Sequence, residues 1–174
     1  MSVAYPLVIR LLHIFSSVCW AGGGFIIFLF VEPTAKALAP AGMEFMQFMV
    51  TKRRLSIYMV ISSTLTVLTG ALLLWRFAGG NFSGYLSTGP GLVFTLGSIT
   101  GVAVYFVGMF GVNPRAIKLG KIGDEIKAAG GPPTQEQITE MHRLDKEMSA
   151  YSLADFILVA VSLVLMASAR YWVF

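Results

Sequence analysis

Charged residues are scarce in this chain: 13% of its 174 residues are Asp, Glu, Lys or Arg, whereas 56% are hydrophobic. Soluble domains carry about 25% charged residues, so this scarcity argues against an ordinary soluble protein. The single cysteine, Cys19, excludes an internal disulfide. No zinc ligand set, phosphate-binding loop, dinucleotide fingerprint, nucleophile triad or aromatic–basic motif occurs. We therefore predict an integral membrane protein whose partner is the lipid bilayer and not a nucleic acid.

Four apolar stretches are each long enough to cross a bilayer, which takes about 20 residues. They are 7–31, 55–75, 91–112 and 152–172. Turn signals bound them, with Glu32-Pro33 ending span 1 and Asn113-Pro114 ending span 3. This pattern predicts an all-α bundle of four transmembrane helices in a single domain, 1–174. The loop over 113–150 is expected to be helical.

Basic residues are distributed unevenly between the two sides of these spans. Ten of the 13 lysine and arginine residues follow span 1 or span 3. Basic loops face the cytoplasm, so 113–150 is expected to be cytoplasmic and both termini to lie on the outer side. Trp75, Tyr171 and Trp172 lie where an outer aromatic belt is expected. The expected location is a bacterial-type inner (plasma) membrane, crossed several times.

One of the two histidines, His13, lies inside span 1, where an ionisable side chain is costly and is therefore read as functional. Helical spacing places Arg10, Trp20 and Gly24 on the same stripe. A neutral imidazole is a good metal ligand, glycine lets a flat ligand approach, and arginine can neutralise a propionate. The stripe predicts haem b with His13 as an axial ligand. The alternatives are a histidine hydrogen-bonded to a neighbouring helix, with the glycines packing helix on helix, and a proton relay.

Met166 is the candidate for a sixth iron ligand, because it lies in span 4 at a depth close to that of His13. Packing is the alternative role for this methionine, and a five-coordinate haem or a ligand from another subunit is also open. His142 precedes span 4 on the predicted cytoplasmic side and is not expected to bind. Arg170, near the outer end of span 4, is expected either to bind a propionate or to snorkel to the interface.

Asp155 lies about one turn inside span 4, and a buried carboxylate needs a partner or a proton. Arg54, which precedes span 2, is the expected partner, with helix docking and proton transfer as the two possible roles. Met43, Met46 and Met49 recur every three residues before span 2. They predict either a weak copper(I) site or, more simply, an apolar face on the membrane.

Small and hydroxyl-bearing residues recur in spans 2 and 3, including Ser62-Ser63-Thr64, Thr69-Gly70, Gly97 and Gly101. Such residues let membrane helices approach closely. We expect close helix contacts here, and a homodimer or membership of a larger membrane complex. A porphyrin, a quinone or another electron carrier is the expected small partner.

Several short motifs match one known group of proteins. Leu12-His13-Ile14 followed by Trp20-Ala21-Gly22 resembles the first helix of the HemJ-type protoporphyrinogen oxidases and the related CopD-like membrane proteins. Lys52-Arg53-Arg54-Leu55 and Leu68-Thr69-Gly70 resemble their second helix. The resemblance implies a small helical membrane bundle with haem b on His13. It further implies redox work or haem biosynthesis for HemJ-type members, and copper handling for CopD-like ones.

Span 4 resembles the last helix of the same proteins through Asp155 and Arg170, with two departures. Ala154 stands where the family has asparagine, and Arg170 is near the position of a HemJ-type lysine. Lysine can lose its proton and bind iron, whereas arginine remains charged. We therefore expect a haem b protein with a redox or electron-transfer role. The alternatives are a HemJ-type oxidase and a non-enzymatic copper-handling or accessory subunit.

Overall fold

The computed structural model describes residues 4–173, which are predominantly helical and contain no strand. Four helical runs are long and apolar enough to cross a membrane, namely Ala4–Ala37, Leu55–Ala78, Gly89–Ala129 and Gln135–Tyr171. This confirms the predicted all-α class with four membrane-spanning helices.

Eight α-helices and two π-helical segments make up these runs and their connections. The α-helices are α1 (Ala4–Ile26), α2 (Glu32–Ala37), α3 (Ala41–Thr51), α4 (Leu55–Ala78), α5 (Phe82–Leu86), α6 (Gly89–Phe106), α7 (Asn113–Ala129) and α8 (Gln135–Ser168). A first π segment (Ile27–Val31) joins α1 to α2, and a second π segment (Val107–Val112) joins α6 to α7. A 3₁₀ turn (Ala169–Tyr171) follows α8.

Pro33 and Pro114 do not end their helices, contrary to the prediction that they bound spans 1 and 3. Each proline instead occupies one of the first positions of the next helix, where its missing N–H is tolerated. A proline ring inside a regular α-helix collides with the carbonyl four residues earlier. The π segments before both prolines change the hydrogen-bond spacing at that point, so the two helical runs continue beyond the apolar spans.

Side-chain caps define the start of α8. The Thr134 hydroxyl accepts a hydrogen bond from the Gln137 amide at 3.2 Å, and the Gln137 side chain accepts one from the Thr134 amide at 3.0 Å. This reciprocal capping box satisfies amide groups that have no partner inside the helix. Glu136 lies in the first turn, and α8 then continues without interruption into span 4.

The four spans associate as two helix pairs. Helix α1 packs mainly on α4, and α6 packs mainly on α8, while contacts between α4 and α6 join the pairs. Trp20, Ala21, Val104 and Val159 form a buried cluster between the pairs. The bundle therefore has one shared core, to which α1, α6 and α8 all contribute.

A loop layer, formed by α2, α3, α7 and the first half of α8, caps one end of the bundle. Helix α3 packs on α7, where the Lys127 ammonium lies 2.7 Å from the Glu44 carboxylate. That hydrogen bond lowers the pKa of the Glu44 carboxyl below its usual value. Arg115 of α7 is bound to Glu147 of α8 at 2.8 Å. The predicted helical loop is thus a folded layer tied together by charge pairs.

Candidate functional site

The His13 ring lies in the interface between α1 and α4. Its Nδ1 atom is 2.9 Å from the Thr66 carbonyl oxygen and 3.3 Å from the Thr69 hydroxyl oxygen. A carbonyl oxygen only accepts hydrogen bonds, so the contact with Thr66 requires the proton on Nδ1. The Thr69 hydroxyl donates its proton to the Leu65 carbonyl, at 2.5 Å. The contact with Thr66 therefore defines the tautomer and leaves Nε2 with its lone pair.

Gly70 makes room for this imidazole. A Cβ atom at position 70 would lie 2.9 Å from His13 Cε1 and 3.3 Å from His13 Nδ1. Real Cβ atoms essentially never approach a neighbour to 2.9 Å. Any larger residue at this position would displace the ring from the Thr66 carbonyl. The glycine that makes room for the His13 ring is therefore Gly70 of span 2, and not a glycine of the run in span 1.

A polar seam extends along the same interface, formed by Ser16, Ser17, Ser62 and Thr66. The Thr66 and Ser16 hydroxyl oxygens are 3.0 Å apart, and both residues are buried. The Ser17 hydroxyl donates to the His13 carbonyl at 2.6 Å. Within a bilayer, a hydrogen bond between helices, such as that from Thr66 to Ser16, holds them together, since apolar contact offers no gain over contact with lipid. The seam therefore stabilises the backbone of α1 around His13.

Thr66, Thr69 and Gly70 were not predicted as site residues, although they lie on one face of α4. Their spacing of three and four residues is the signal that could have identified them. The sequence reasoning assigned Thr69 and Gly70 to helix contacts and did not connect them with the histidine. Two motifs of the family resemblance, one containing His13 and the other Thr69-Gly70, meet at this point.

The glycine run of α1, expected to accommodate a flat ligand, faces a side chain for most of its length. A Cβ atom at Gly23 would lie 3.4 Å from Met59 Sδ, and one at Gly24 would lie 4.0 Å from Met59 Cε. Gly22 has open space at its Cβ position. Trp20, predicted to contact the cofactor, is 7% exposed and belongs to the core cluster. Met59 therefore fills the space beside Gly23 and Gly24, and Trp20 packs in the core.

The helix register defines the depth of His13 in the bundle. Between α4 and α6, Thr64 donates to the Tyr105 hydroxyl at 3.3 Å, and Phe77 stacks on Phe94 with ring centroids 6.5 Å apart. These two contacts place Gly70, the glycine beside His13, level with about residues 99–101 of α6.

Met166 lies on the other helix pair, one turn away from that level. A Cβ atom at Gly101 would lie 3.3 Å from Ser162 Oγ, and one at Gly97 would lie 3.3 Å from Met166 Cγ. Ser162 is therefore the residue of α8 level with His13. Met166 is about one helical turn, roughly 5 Å, nearer the end of the bundle at which Ala4 lies. Its role as sixth ligand stays a prediction.

The two arginines expected near the propionates have different surroundings. Arg10 is exposed, and its side chain forms no hydrogen bond or ion pair with any residue of 4–173. Arg170 lies in the 3₁₀ turn, with its guanidinium carbon 4.7 Å from the centroid of the Tyr171 ring and a hydrogen bond to the Tyr171 hydroxyl. Arg10 is thus free to pair with an anion, whereas Arg170 already has a partner.

The expected ion pair between Asp155 and Arg54 is not formed in the described chain. Asp155 lies against Gly108 of the second π segment, where a Cβ atom would be 3.4 Å from Asp155 Oδ1. Arg54 is the exposed residue before α4, with φ at 56°. Helix α4 packs mainly on α1 and α6, whereas α8 packs on α6 and α7. The two residues therefore belong to helices that do not pack directly on each other.

Metal-ligating side chains do not gather elsewhere in the described residues. No group of three or more His, Cys, Asp or Glu residues there could hold a metal ion. Met43 is exposed on α3, with Met46 and Met49 half-buried on the same helix. The two best-formed concavities, of about 740 and 500 Å³, are lined by the loop layer and its edge and do not include His13.

Comparison with known proteins adds no relative to this description. No protein-family model, no curated protein and no solved structure matches the chain.

Proposed function

We propose that this protein binds haem b within the membrane, with His13 Nε2 as an axial ligand, and that it has a redox or electron-transfer role. The observation that carries the proposal is the hydrogen bond from His13 Nδ1 to the Thr66 carbonyl. Histidines that bind metals almost always donate their other ring N–H in this way, which orients the ring and raises its basicity. A histidine that only packs between helices would make the same hydrogen bond, so absorption spectroscopy is needed to distinguish the two roles.

Haem suits the donor set better than a bare metal ion. The porphyrin supplies four nitrogen ligands of its own, so one or two protein ligands suffice. A structural zinc site needs four ligands from the protein, and the described residues offer no such cluster. When bound, haem supplies the one-electron chemistry. In the protein, His13 would hold the iron, the unpaired Arg10 would bind a propionate, and Met166 would be the candidate for a second protein ligand.

A haem on His13 would lie at the α1–α4 pair, outside the two concavities of the loop layer. A second copy of the chain, or another subunit, could supply the other iron ligand there. A homodimer, or a place in a larger complex, is therefore part of the proposal.

The orientation in the membrane is also proposed, on the distribution of basic residues. The loop layer contains most of the lysine and arginine residues, so we infer that it faces the cytoplasm of a plasma membrane and that both termini lie outside. A reporter fused after Phe174 tests this directly. Reporter activity restricted to the cytoplasm would contradict it.

Absorption spectroscopy tests the haem proposal. Protein purified after expression with ample haem should show a Soret band and, after dithionite reduction, sharp α and β bands. His13→Ala should lose these bands. His142→Ala is the matched control, because it removes the other histidine, which is exposed on α8, and should leave the spectrum unchanged. A colourless wild-type protein would overturn the proposal.

A HemJ-type protoporphyrinogen oxidase is the second candidate. It is favoured by the meeting of two resemblance motifs at His13, Thr69 and Gly70. Expression should rescue a strain that lacks its own protoporphyrinogen oxidase. No rescue, with the haem-loaded protein present in the membrane, would exclude this activity and leave electron transfer.

Copper handling is the remaining alternative, since Met43, Met46 and Met49 share one short helix. Stoichiometric copper in protein prepared with Cu(I), lost on replacing the three methionines by leucine, would support it. Protein without copper would leave these side chains as an apolar surface of α3.

A further inference from the structure

Asp155 is an acidic residue in an apolar part of span 4. The neighbouring Phe156 ring stacks on Phe28, with centroids 4.7 Å apart, and meets Phe25 edge-on at 5.2 Å. Among residues 4–173, the Asp155 side chain forms no hydrogen bond and no ion pair. An unpaired carboxylate in such surroundings is strongly disfavoured, and a carboxyl group there takes up a proton instead.

The second π segment provides a place for this carboxyl group. Asp155 Oδ1 is 3.4 Å from the Cβ position of Gly108, so the acid lies directly over backbone that a side chain would otherwise cover. π-helical turns inside α-helices occur frequently at functional sites. Each buried side-chain oxygen in the described chain has a hydrogen-bond partner, so the unpartnered Asp155 oxygens are not completely enclosed.

Arg115, a cation that contacts the end of the second π segment, is engaged elsewhere. Arg115 binds Glu147 at 2.8 Å, donates to the Gly111 carbonyl at 2.8 Å, and lies over the Tyr151 ring at 4.4 Å. These contacts hold its guanidinium beside the end of the second π segment. Its charge is thus committed to a carboxylate outside the span and does not neutralise Asp155.

The other titratable groups near this level are weak acids. Helix α6 contributes Tyr105, whose hydroxyl accepts a hydrogen bond from Thr64. Helix α1 contributes Cys19, and α8 itself contributes Tyr151. Neither π segment contains a titratable residue. No group around Asp155 therefore offers the positive charge that would keep it ionised.

We propose that Asp155 is a proton-binding site in the membrane part of the protein, which carries a proton in the resting state and exchanges it with the surroundings. It lies on the α6–α8 pair, against the second π segment, and does not depend on haem binding at His13. A second, independent activity follows, namely the uptake and release of a proton at the level of Gly108.

Carbodiimide labelling tests this site on the wild-type protein itself. Dicyclohexylcarbodiimide reacts with protonated carboxyl groups in apolar surroundings, and tandem mass spectrometry of the peptide from Glu147 to Arg170 shows which acid is modified. We expect the label on Asp155 and not on Glu147, with less label as the pH is raised. An unlabelled Asp155, or labelling independent of pH, would overturn the proposal.

Variants and infrared spectroscopy complete the test. Asp155→Asn should abolish the label, while Asp145→Asn, a change of the same kind outside the span, should retain it. The C=O stretch of a protonated carboxyl group should be present in the wild type and absent in Asp155→Asn. Because the label is mapped in the wild type, poor folding of one variant does not decide the result. A protonated-carboxyl band that persists in a folded Asp155→Asn would contradict the assignment.

Discussion

The two helix pairs of this bundle have similar plans and different interfaces. In each pair a span with a π segment before a proline packs on a second, uninterrupted span. The α1–α4 interface is a seam of hydroxyl groups and the His13 ring. The α6–α8 interface consists mainly of glycines covered by side chains, such as Gly97 under Leu165 and Met166, with one hydrogen bond from the Ser162 hydroxyl to the Gly97 carbonyl at 2.9 Å. Bilayers offer no hydrophobic gain for helix association, so the α1–α4 pair depends more on hydrogen bonds and the α6–α8 pair more on close packing.

That difference has a functional consequence. A seam of hydrogen bonds can hold an imidazole in one tautomer, which close packing cannot do. The α6–α8 interface gives the Ser162 hydroxyl a carbonyl partner, whereas the Asp155 side chain has no hydrogen-bond or ion-pair partner among residues 4–173. The two proposals therefore concern different helix pairs, with metal binding proposed for the α1–α4 pair and proton binding for the α6–α8 pair.

Among the substitutions, replacing Gly70 should have the largest effect, because it disturbs the His13 ring in the α1–α4 interface. In Gly70→Ala the new methyl group meets the His13 ring, so the ring should lose its contact with the Thr66 carbonyl. We expect loss of most haem, measured as the ratio of Soret to protein absorbance. Gly22→Ala is the matched control, since nothing lies within 4 Å of its Cβ position. Equal haem content in the two variants would refute the assigned role of Gly70.

Gly97→Ala should weaken the second pair through overpacking. The added Cβ atom would meet Leu165 Cβ at 3.2 Å and Met166 Cγ at 3.3 Å. Forcing atoms into a packed interface costs about 1–3 kcal/mol. The expected result is a lower midpoint of thermal unfolding in detergent, followed by tryptophan fluorescence. Gly24→Ala is the control, because the nearest atom to its Cβ position is 4.0 Å away, and its unfolding midpoint should change little. A larger fall in the midpoint for Gly24→Ala than for Gly97→Ala would contradict the prediction that the α6–α8 pair is the more closely packed.

Thr66→Val should have a smaller effect on the first pair. It removes the hydroxyl that lies 3.0 Å from Ser16 Oγ and keeps the carbonyl that accepts from His13. Hydrogen bonds between membrane helices contribute on average about 0.6 kcal/mol. Stability should fall slightly, with haem retained. Thr100→Val is the control, because the Thr100 hydroxyl bonds only to carbonyls of its own helix.

Glu44→Gln, in the loop layer, should have the smallest effect. The Lys127 hydrogen bond lowers the pKa of the folded-state carboxyl, so its contribution to stability is present above the unfolded-state pKa and declines as the pH falls. The pair is exposed and therefore screened by solvent and salt. Unfolding near pH 7 should be almost unchanged by the substitution. A clear loss of stability that persists at high salt would show that the loop layer supports the spans.

Some site residues could be predicted from the sequence and others could not. His13 was found because an ionisable residue within a span is rare. Its contacts with Thr66 and Gly70 were missed, since 53 positions separate His13 from Thr66 and no periodicity links residues on different helices. The expected pair between Asp155 and Arg54 is not formed among the described residues, because the sequence matches charges by side of the membrane and does not show which helices pack together.

The sequence by itself determined the class of this protein, the number of its spans and the intramembrane position of His13, because hydropathy and charge act locally along the chain. It did not determine the continuation of the helices through Pro33 and Pro114, which depends on the π segments before them. Only the tertiary structure decided that His13 has a carbonyl partner and that Asp155 has none. The partners of His13 and Asp155 depend on which helices pack together and in what register. Residues far apart in the chain decide the pairing of the helices and their register.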